Sequence, residues 1–256
     1  MVAFINLIKC IDRAVQFFSR LPLKDLEWKI ASNPYYDSQT YSQVAEQIIA
    51  SLVGNDAQLQ AFKNSLENFF FPTSYSKAVL LFLISWNIDR FKRLLEENKQ
   101  NLNQFLNYLT DFEKGIQKSL AYKIPFIRPH LAFYRDTFQK VRDDFLPQTF
   151  GKEHIPTAKL LMVLNPHLFI AWDNQIAPLF GLNPKNPEDF AIFNILVSNF
   201  INRNKNIAEY LESKYEYPIR RILDMILYIY ANKKLEKEKD FSACAIELIN
   251  LIQKIY

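Results

Sequence analysis

Glycine is scarce in this sequence: its 256 residues include only Gly54, Gly115, Gly151 and Gly181. Sheet-rich and nucleotide-binding folds use glycine for tight turns and for the close approach of the backbone to phosphate. Neither G-x-G-x-x-G nor G-x-x-x-x-G-K-[ST] occurs. The sequence therefore excludes the dinucleotide-binding and P-loop classes.

Cysteine is equally rare, and the two residues present, Cys10 and Cys244, lie in apolar patterns with helical spacing. Two cysteines are too few for a disulfide scaffold, a zinc site made of cysteines or an iron–sulfur cluster. We expect both to be free thiols in a reducing, cytoplasmic compartment. The N-terminal residues carry charges where a signal peptide has its apolar core.

Long apolar runs and metal-ligand motifs are also missing. The longest apolar run, residues 78–86, is too short to cross a bilayer, so no membrane segment is predicted. The three histidines, His130, His154 and His167, stand in no H-E-x-x-H or H-x-x-x-H pattern, and there is no G-x-S-x-G elbow. We predict no metal site and no cofactor, and we exclude a serine hydrolase.

Apolar residues recur at helical spacing along nearly the whole chain, and no sustained two-residue alternation is present. The pattern predicts an all-α protein of about ten helices, forming one compact unit or two interlocked halves with a groove between them. We treat 1–256 as a single helical unit, with a sub-domain boundary near 120–128. The predicted helices cover residues 3–19, 38–53, 56–70, 74–97, 101–120, 129–145, 157–164, 174–180, 187–212, 218–235 and 240–255. Residues 22–36 are expected to be irregular.

Positive charge is concentrated in one part of the chain. The net charge is +4, and the segment between Lys123 and Lys159 holds seven Lys or Arg residues against four acids. Such a basic region favours DNA or another nucleic acid as a partner. The other interpretation is that two surface helices simply expose solvated charges. The candidate contact residues here are Arg128, Arg135, Lys140, Arg142, Lys152 and His154.

Residues 156–174 combine an apolar helix with one lysine and one aspartate, Lys159 and Asp173. An ammonium pressed against apolar surface loses its proton more readily, and a free amine can attack a sugar C1′ or a carbonyl. A carboxylate at a helix N-terminus can stabilise developing positive charge on a sugar ring. The structural alternative is that Lys159 extends its stem over apolar surface while Asp173 acts as an N-cap.

The same segment resembles the active-site segment of the helix-hairpin-helix DNA glycosylase superfamily, over residues 149–182. Thr157 and Ala158 match the Thr-Ala of its Lys-Thr-Ala helix, and residues 170–173 occupy the stretch that ends in the catalytic aspartate. The resemblance implies a glycosylase-like helical fold, a role in DNA repair and a catalytic Asp173. Pro156 stands at the family's lysine position, so Lys159 or Lys152 would take that role. The hairpin glycines are replaced by Phe-Gly-Lys-Glu-His-Ile-Pro at 150–156.

A second likeness is closer over the same residues. Ala158-Lys159, then Asn165-Pro166-His167-Leu168-Phe169, then Trp172-Asp173 is similar to a segment of uncharacterised bacterial proteins with the pattern Ser-Lys…Asn-Pro-x-Leu-Phe-x-x-Trp-Asp. This likeness implies no activity.

Aromatic residues that could stack on bases complete the candidate interface. Trp172 lies next to Asp173, and Tyr35 and Tyr36 lie in a proline-interrupted loop. We therefore expect a DNA glycosylase-like protein that acts on a flipped base. The alternative is a non-enzymatic helical module that binds protein or nucleic acid. The sequence identifies no protein partner.

Overall fold

The computed structural model of the chain describes residues 2–71, 73–121, 130–145, 154–235 and 237–254. All regular structure in these residues is helical, which confirms the all-α prediction, and the thirteen α-helices exceed the predicted ten. They are α1 (Val2–Ser19), α2 (Pro22–Ser32), α3 (Ser38–Val53), α4 (Ala57–Phe70), α5 (Tyr75–Trp86), α6 (Ile88–Glu97), α7 (Leu102–Leu120), α8 (Leu131–Phe145), α9 (His154–Leu164), α10 (Pro187–Arg203), α11 (Lys205–Tyr215), α12 (Ile219–Ala231) and α13 (Lys239–Gln253).

The chain divides into two compact units. The terminal unit comprises Met1–Leu21, Pro125–Asp143 and Glu153–Tyr256, and the inner unit comprises Pro22–Ile124 and Asp144–Lys152. The sub-domain boundary that we predicted near 120–128 falls mostly on residues 122–129, which lie outside the described residues.

The terminal unit is built around α12. Helix α1 packs against α12 and α13, and α11 and α13 also contact α12. Ten of the thirteen residues of α12 are buried, so this helix is enclosed on nearly all sides. The 3₁₀ helix Ala177–Phe180 leans on α13, and α10 packs against α11 and α13.

The inner unit is built around α5 in a similar way. Helix α5 contacts α2, α3, α6 and α7, and eight of its twelve residues are buried. Ser74 begins the helix by accepting a hydrogen bond from the backbone N–H of Lys77 at 3.3 Å. Side-chain caps also start α3 and α4, where Asp37 and Asp56 accept backbone N–H bonds, as is usual at helix N-termini.

The structure corrects the predicted elements in three places. Residues 22–32 form α2, because a proline at the first helical position costs no hydrogen bond and so does not break the helix. The predicted helices 74–97 and 187–212 are each divided in two, at Asn87 and Asn204. Residues 174–180 form turns followed by a 3₁₀ helix.

The two divisions share one backbone feature. Asn87 and Asn204 have φ of −137° and −117°, outside the helical range, and each ends one helix and precedes the next. The Nδ2 of Asn204 donates to the carbonyl of Phe200 at 2.8 Å, a side-chain bond that competes with the regular backbone ladder. Apolar periodicity continues through both breaks, so the sequence pattern did not reveal them.

Among the helices of the described residues, none combines the length and the apolar character needed to pass through a bilayer.

Candidate functional site

Helix α9 places Lys159 beside a buried apolar face. Ala158, Leu160 and Leu161 are fully buried, while Lys159 itself is half-buried. The helix ends at Leu164, and the Oδ1 of Asn165 accepts the backbone N–H of His167 at 3.2 Å. The Asn-Pro pair thus stops α9 where we predicted and turns the chain toward residues 169–173.

The residues before Asp173 run through the interior of the terminal unit. Phe169, Ile170 and Trp172 are 0% exposed. The side chain of Asn194 on α10 fixes this stretch: its Oδ1 accepts the N–H of Ile170 at 3.1 Å, while its Nδ2 donates to the carbonyl of Phe190 at 3.0 Å. A buried non-helical segment thereby satisfies one of its backbone N–H groups through a buried amide.

Asp173 emerges from this segment as a half-buried residue. Its Oδ1 accepts the backbone N–H groups of Gln175 and Ile176, both at 2.8 Å. Asp173 thus accepts the backbone bonds typical of an N-cap, but these bonds close the turn at 174–176. The 3₁₀ helix that follows has Ile176 as its N-cap, so Asp173 does not cap a helix as the structural alternative had it. Within the described residues, the second oxygen, Oδ2, accepts no hydrogen bond.

Helix α12 brings an ion pair into the same unit. Arg221 and Asp224, three residues apart on one face, form a salt bridge in which the side chains are 1% and 6% exposed. The Arg221 guanidinium also lies 5.0 Å from the centre of the Phe18 ring on α1. Burying both charges costs desolvation energy, which the pairing offsets only in part.

The pKa of Asp224 depends on charged residues from the other elements as well as on α12. Burial raises the pKa of the Asp224 carboxyl, Arg221 and Lys159 oppose that rise, and the negative charge of Asp173 adds to it. Burial likewise raises the pKa of Tyr228, one turn further along α12, with contributions from Asp173 and Asp224. Lys159 and Asp173 therefore both act on one buried carboxyl. We call Lys159, Asp173, Arg221, Asp224 and Tyr228 the charge cluster.

The prediction for Trp172 requires correction. Its indole is completely buried, stacked on Phe193 at a centroid distance of 5.8 Å and edge-on to Phe190 at 5.5 Å. An aromatic side chain that stacks on a base must present a ring face to solvent. Trp172 is a core residue, and its indole Nε1 has no acceptor among the described residues.

The two tyrosines of the predicted interface lie in the inner unit. Tyr35 is 91% exposed. Tyr36 is half-buried: its hydroxyl donates to the carbonyl of Ser74 at 2.9 Å and its ring stacks on Tyr41 at 5.5 Å. Burial, assisted by Tyr75, raises the pKa of Tyr36 to about 12. Of the pair, Tyr35 is the one with a ring open to a partner.

Much of the predicted basic region is balanced by acids. Helix α8 carries three basic and three acidic residues. Arg135 pairs with Asp136 at 2.8 Å and with Glu188 at 3.4 Å. Arg142, whose side chain is 12% exposed, pairs with Asp143 at 3.3 Å, whereas Lys140 is exposed.

His154 begins α9 and stacks on Phe138, with 6.1 Å between the ring centres. Burial lowers the pKa of His154, and the nearby Arg142 and Lys185 lower it further. Two other predicted contacts, Arg128 and Lys152, lie outside the described residues.

Sequence reasoning missed the α12 residues, although a signal was present. Residues 219–225 read Ile-Arg-Arg-Ile-Leu-Asp-Met, which places three charges inside an otherwise apolar helix. The neighbouring Arg220 is also buried; it donates from Nε to the carbonyl of His167 at 3.0 Å and from Nη2 to the Ser198 hydroxyl at 2.6 Å. Arg220 thus ties α12 to the turn that follows α9.

No metal centre accompanies the cluster: the described part of the chain contains no group of three or more His, Cys, Asp or Glu residues arranged to hold an ion. In comparisons with known proteins, no family model matches the chain, and no curated protein or solved structure is significantly similar to it. The glycosylase resemblance of residues 149–182 therefore stays a prediction.

Proposed function

We propose that this chain is a DNA glycosylase-like protein that binds nucleic acid and hydrolyses an N-glycosidic bond at Asp173. The proposal rests on one observation, namely that the two oxygens of this carboxylate are bonded differently. Oδ1 is fixed by two backbone amides, while Oδ2 accepts no hydrogen bond from the described residues. A carboxylate held rigidly with one oxygen available is suited to stabilise a developing positive charge.

The reaction would follow from that geometry. The bond between C1′ and the base nitrogen breaks, the base leaves with the electron pair, and the sugar becomes an oxocarbenium-like cation. Asp173 Oδ2 stabilises this cation, and the oxygen of a water molecule then bonds to C1′. The proton that the water loses balances the proton that the base gains, so no oxidant or further reactant is needed.

Lys159 and Asp224 would set the electrostatic environment of this step. Lys159 acts on Asp224 with a sign opposite to that of Asp173. In the proposal, the positive charge of Lys159 offsets the repulsion between the carboxylates of Asp173 and Asp224. Its amine is the nucleophile if a lyase step occurs. Interactions among these groups are strengthened because the surrounding segment is apolar.

The nucleic-acid part of the proposal depends on residues in and around the basic region. Because the charges of α8 balance, the contribution of this helix to phosphate binding would come from the exposed Lys140, and Arg128 and Lys152 stay candidates from the sequence alone. Three such contacts predict that the logarithm of the affinity for duplex DNA falls with the logarithm of salt with a slope of about −3. Tyr35 is the candidate for stacking on a base.

The test is base release from duplexes carrying single damaged or mismatched bases, read as alkali-labile abasic sites. Asp173→Asn preserves an acceptor for the two amides but removes the charge, so we expect a loss of at least about 100-fold in the single-turnover rate. Asp37→Asn is the control, because Asp37 likewise holds backbone through its carboxylate: its Oδ1 accepts the N–H of Thr40, and its Oδ2 accepts the Thr40 hydroxyl. That variant should retain the wild-type rate.

Two results would contradict the proposal. One is a wild-type protein that releases no base from any duplex in the panel. The other is an Asp173→Asn variant that releases base as fast as wild type while its circular dichroism spectrum is unchanged.

A second candidate is favoured by the backbone bonds of Asp173 and by the buried ion pair. If Asp173 only closes the turn at 174–176 and Arg221–Asp224 is only a structural bridge, the chain is a non-enzymatic helical module. Such a module would show salt-dependent DNA binding without base release, or no DNA binding at all. The duplex assay combined with a salt titration separates these cases.

A further inference from the structure

The terminal unit contains an apolar pocket that takes no part in the charge cluster. It has a volume of about 290 Å³ and is formed by α1, α10, α11, α12 and α13 together with the break at Asn204. An engineered cavity of roughly 150 Å³ already binds a benzene-sized molecule. This pocket therefore has room for a larger organic ligand.

The wall of the pocket is apolar apart from two residues. The described lining consists of aliphatic and aromatic side chains and the Cys244 thiol, plus Asn204 and Glu247. The Nδ2 of Asn204 is already bonded to the carbonyl of Phe200, which leaves its side-chain oxygen as an acceptor. Both polar groups of the wall can thus accept hydrogen bonds, and one of them is negatively charged.

The carboxylate of Glu247 is the reason to treat this pocket as a binding site and not as a packing gap in the core. It is half-buried on α13, and no Lys, Arg or His among the described residues forms a salt bridge with it. A carboxylate facing an apolar recess without a cation binds a positively charged group more strongly than one in open water. Leu251, which also lines the pocket, is 41% exposed, so the recess opens to solvent.

We propose that this pocket binds a small amphipathic amine, with its hydrocarbon body among α1, α11, α12 and α13 and its ammonium group on Glu247. Small-molecule sites are typically apolar recesses with a few polar groups that fix the orientation of the ligand. The inference is independent of the proposed glycosylase activity, because it uses none of the charge-cluster residues.

The test compares n-octylamine, 1-octanol and octanoate, which share a chain length and differ in the charge of the head group. Isothermal titration calorimetry should show n-octylamine binding about tenfold more tightly than 1-octanol, with octanoate weakest. Glu247→Gln should reduce the amine to the affinity of the alcohol. Equal binding of amine and octanoate, or an unchanged amine affinity in Glu247→Gln, would overturn the proposal.

Cys244 supplies a second readout at the pocket wall. In a Cys10→Ser background it is the only thiol, and n-octylamine should slow its alkylation by iodoacetamide. Unchanged alkylation at saturating amine would contradict binding at this place.

Two pocket variants control for non-specific binding of the alkyl chains. Ala208→Leu fills the recess and should abolish binding of all three compounds. Leu251→Arg places a positive charge at the 41% exposed rim of the pocket, and it should weaken the amine more than the alcohol or octanoate. Retention of wild-type amine affinity in both variants would show that the amine binds elsewhere and would overturn the proposal.

Discussion

Helices α5 and α12 hold the same position in their respective units but differ in what they bury. Each is the most enclosed helix of its unit. None of the eight buried residues of α5 is charged, whereas α12 buries Arg220, Arg221 and Asp224 among its ten. Helix α5 itself therefore buries no charge, although Glu27 on the adjoining α2 is 1% exposed and accepts a hydrogen bond from the Ser85 hydroxyl of α5. Helix α12, in contrast, carries three buried charges of its own.

The difference bears on function because buried charges do not usually improve stability. Removing two charges from water costs several kcal/mol per ion, and apolar residues of similar size often stabilise a fold as well or better. Asp224 is moreover acted on by Lys159 and Asp173, from two other elements. A chemical role for α12 would explain why this helix keeps three charged residues buried.

The largest expected effect comes from a matched pair of substitutions in the two helices. Arg221→Met leaves Asp224 buried without its partner and should lower the free energy of unfolding by about 3–5 kcal/mol. Leu80→Met changes a fully buried position of α5 to the same residue and should cost less than about 1.5 kcal/mol. Urea denaturation measures both.

A double variant sharpens that comparison. Arg221→Met with Asp224→Leu removes both charges and should recover most of the stability lost in Arg221→Met alone. If the double variant stays as unstable as the single one, the pair is needed for folding itself. The contrast between α12 and α5 would then reflect structure and not chemistry.

A smaller effect is expected from pH, because α9 adds a half-buried histidine to the terminal unit. The pKa of His154 is lowered in the folded protein by burial, Arg142 and Lys185, so protonation favours the unfolded chain. Stability should therefore be intact above the unfolded value of about 6.5 and decline as the pH falls through the lower folded value. The measurement is the urea midpoint between pH 8 and pH 5.

His154→Phe is the control for this titration, since it keeps an aromatic ring next to Phe138. The variant should lose less stability than wild type over the same range. An identical pH dependence in the two proteins would exclude His154 as the source of the acid sensitivity.

Local signals in the sequence were sufficient for much of the fold. The apolar stripe of α5, the Ser74 cap and the Asn165-Pro166 stop act within a few residues, and each is found in the structure where the pattern predicts it. The sequence does not reveal the divisions at Asn87 and Asn204. An asparagine ends a helix only where the surrounding residues let its backbone adopt non-helical angles, and the sequence does not show where that happens. The helical spacing of apolar residues is the same on both sides of each break and therefore does not reveal it.

The candidate site was predictable only in part, for a different physical reason. Lys159 and Asp173 attract notice because each is a single charge in an apolar segment. Asp224 lies more than fifty residues away in sequence, and its relation to them depends on how α12 packs within the terminal unit. The burial of Trp172 likewise depends on α10, so an aromatic next to an acid was misjudged as a surface group.

The central claim is that Lys159 and Asp173 act on Asp224 with opposite signs, and one titration tests it directly. Carboxyl ¹³C NMR of Asp224 should show a higher pKa in Lys159→Met than in wild type, because a stabilising positive charge is lost. It should show a lower pKa in Asp173→Asn, because a repelling negative charge is lost. Shifts in these opposite directions would support the charge cluster, and an Asp224 titration unchanged in both variants would contradict it.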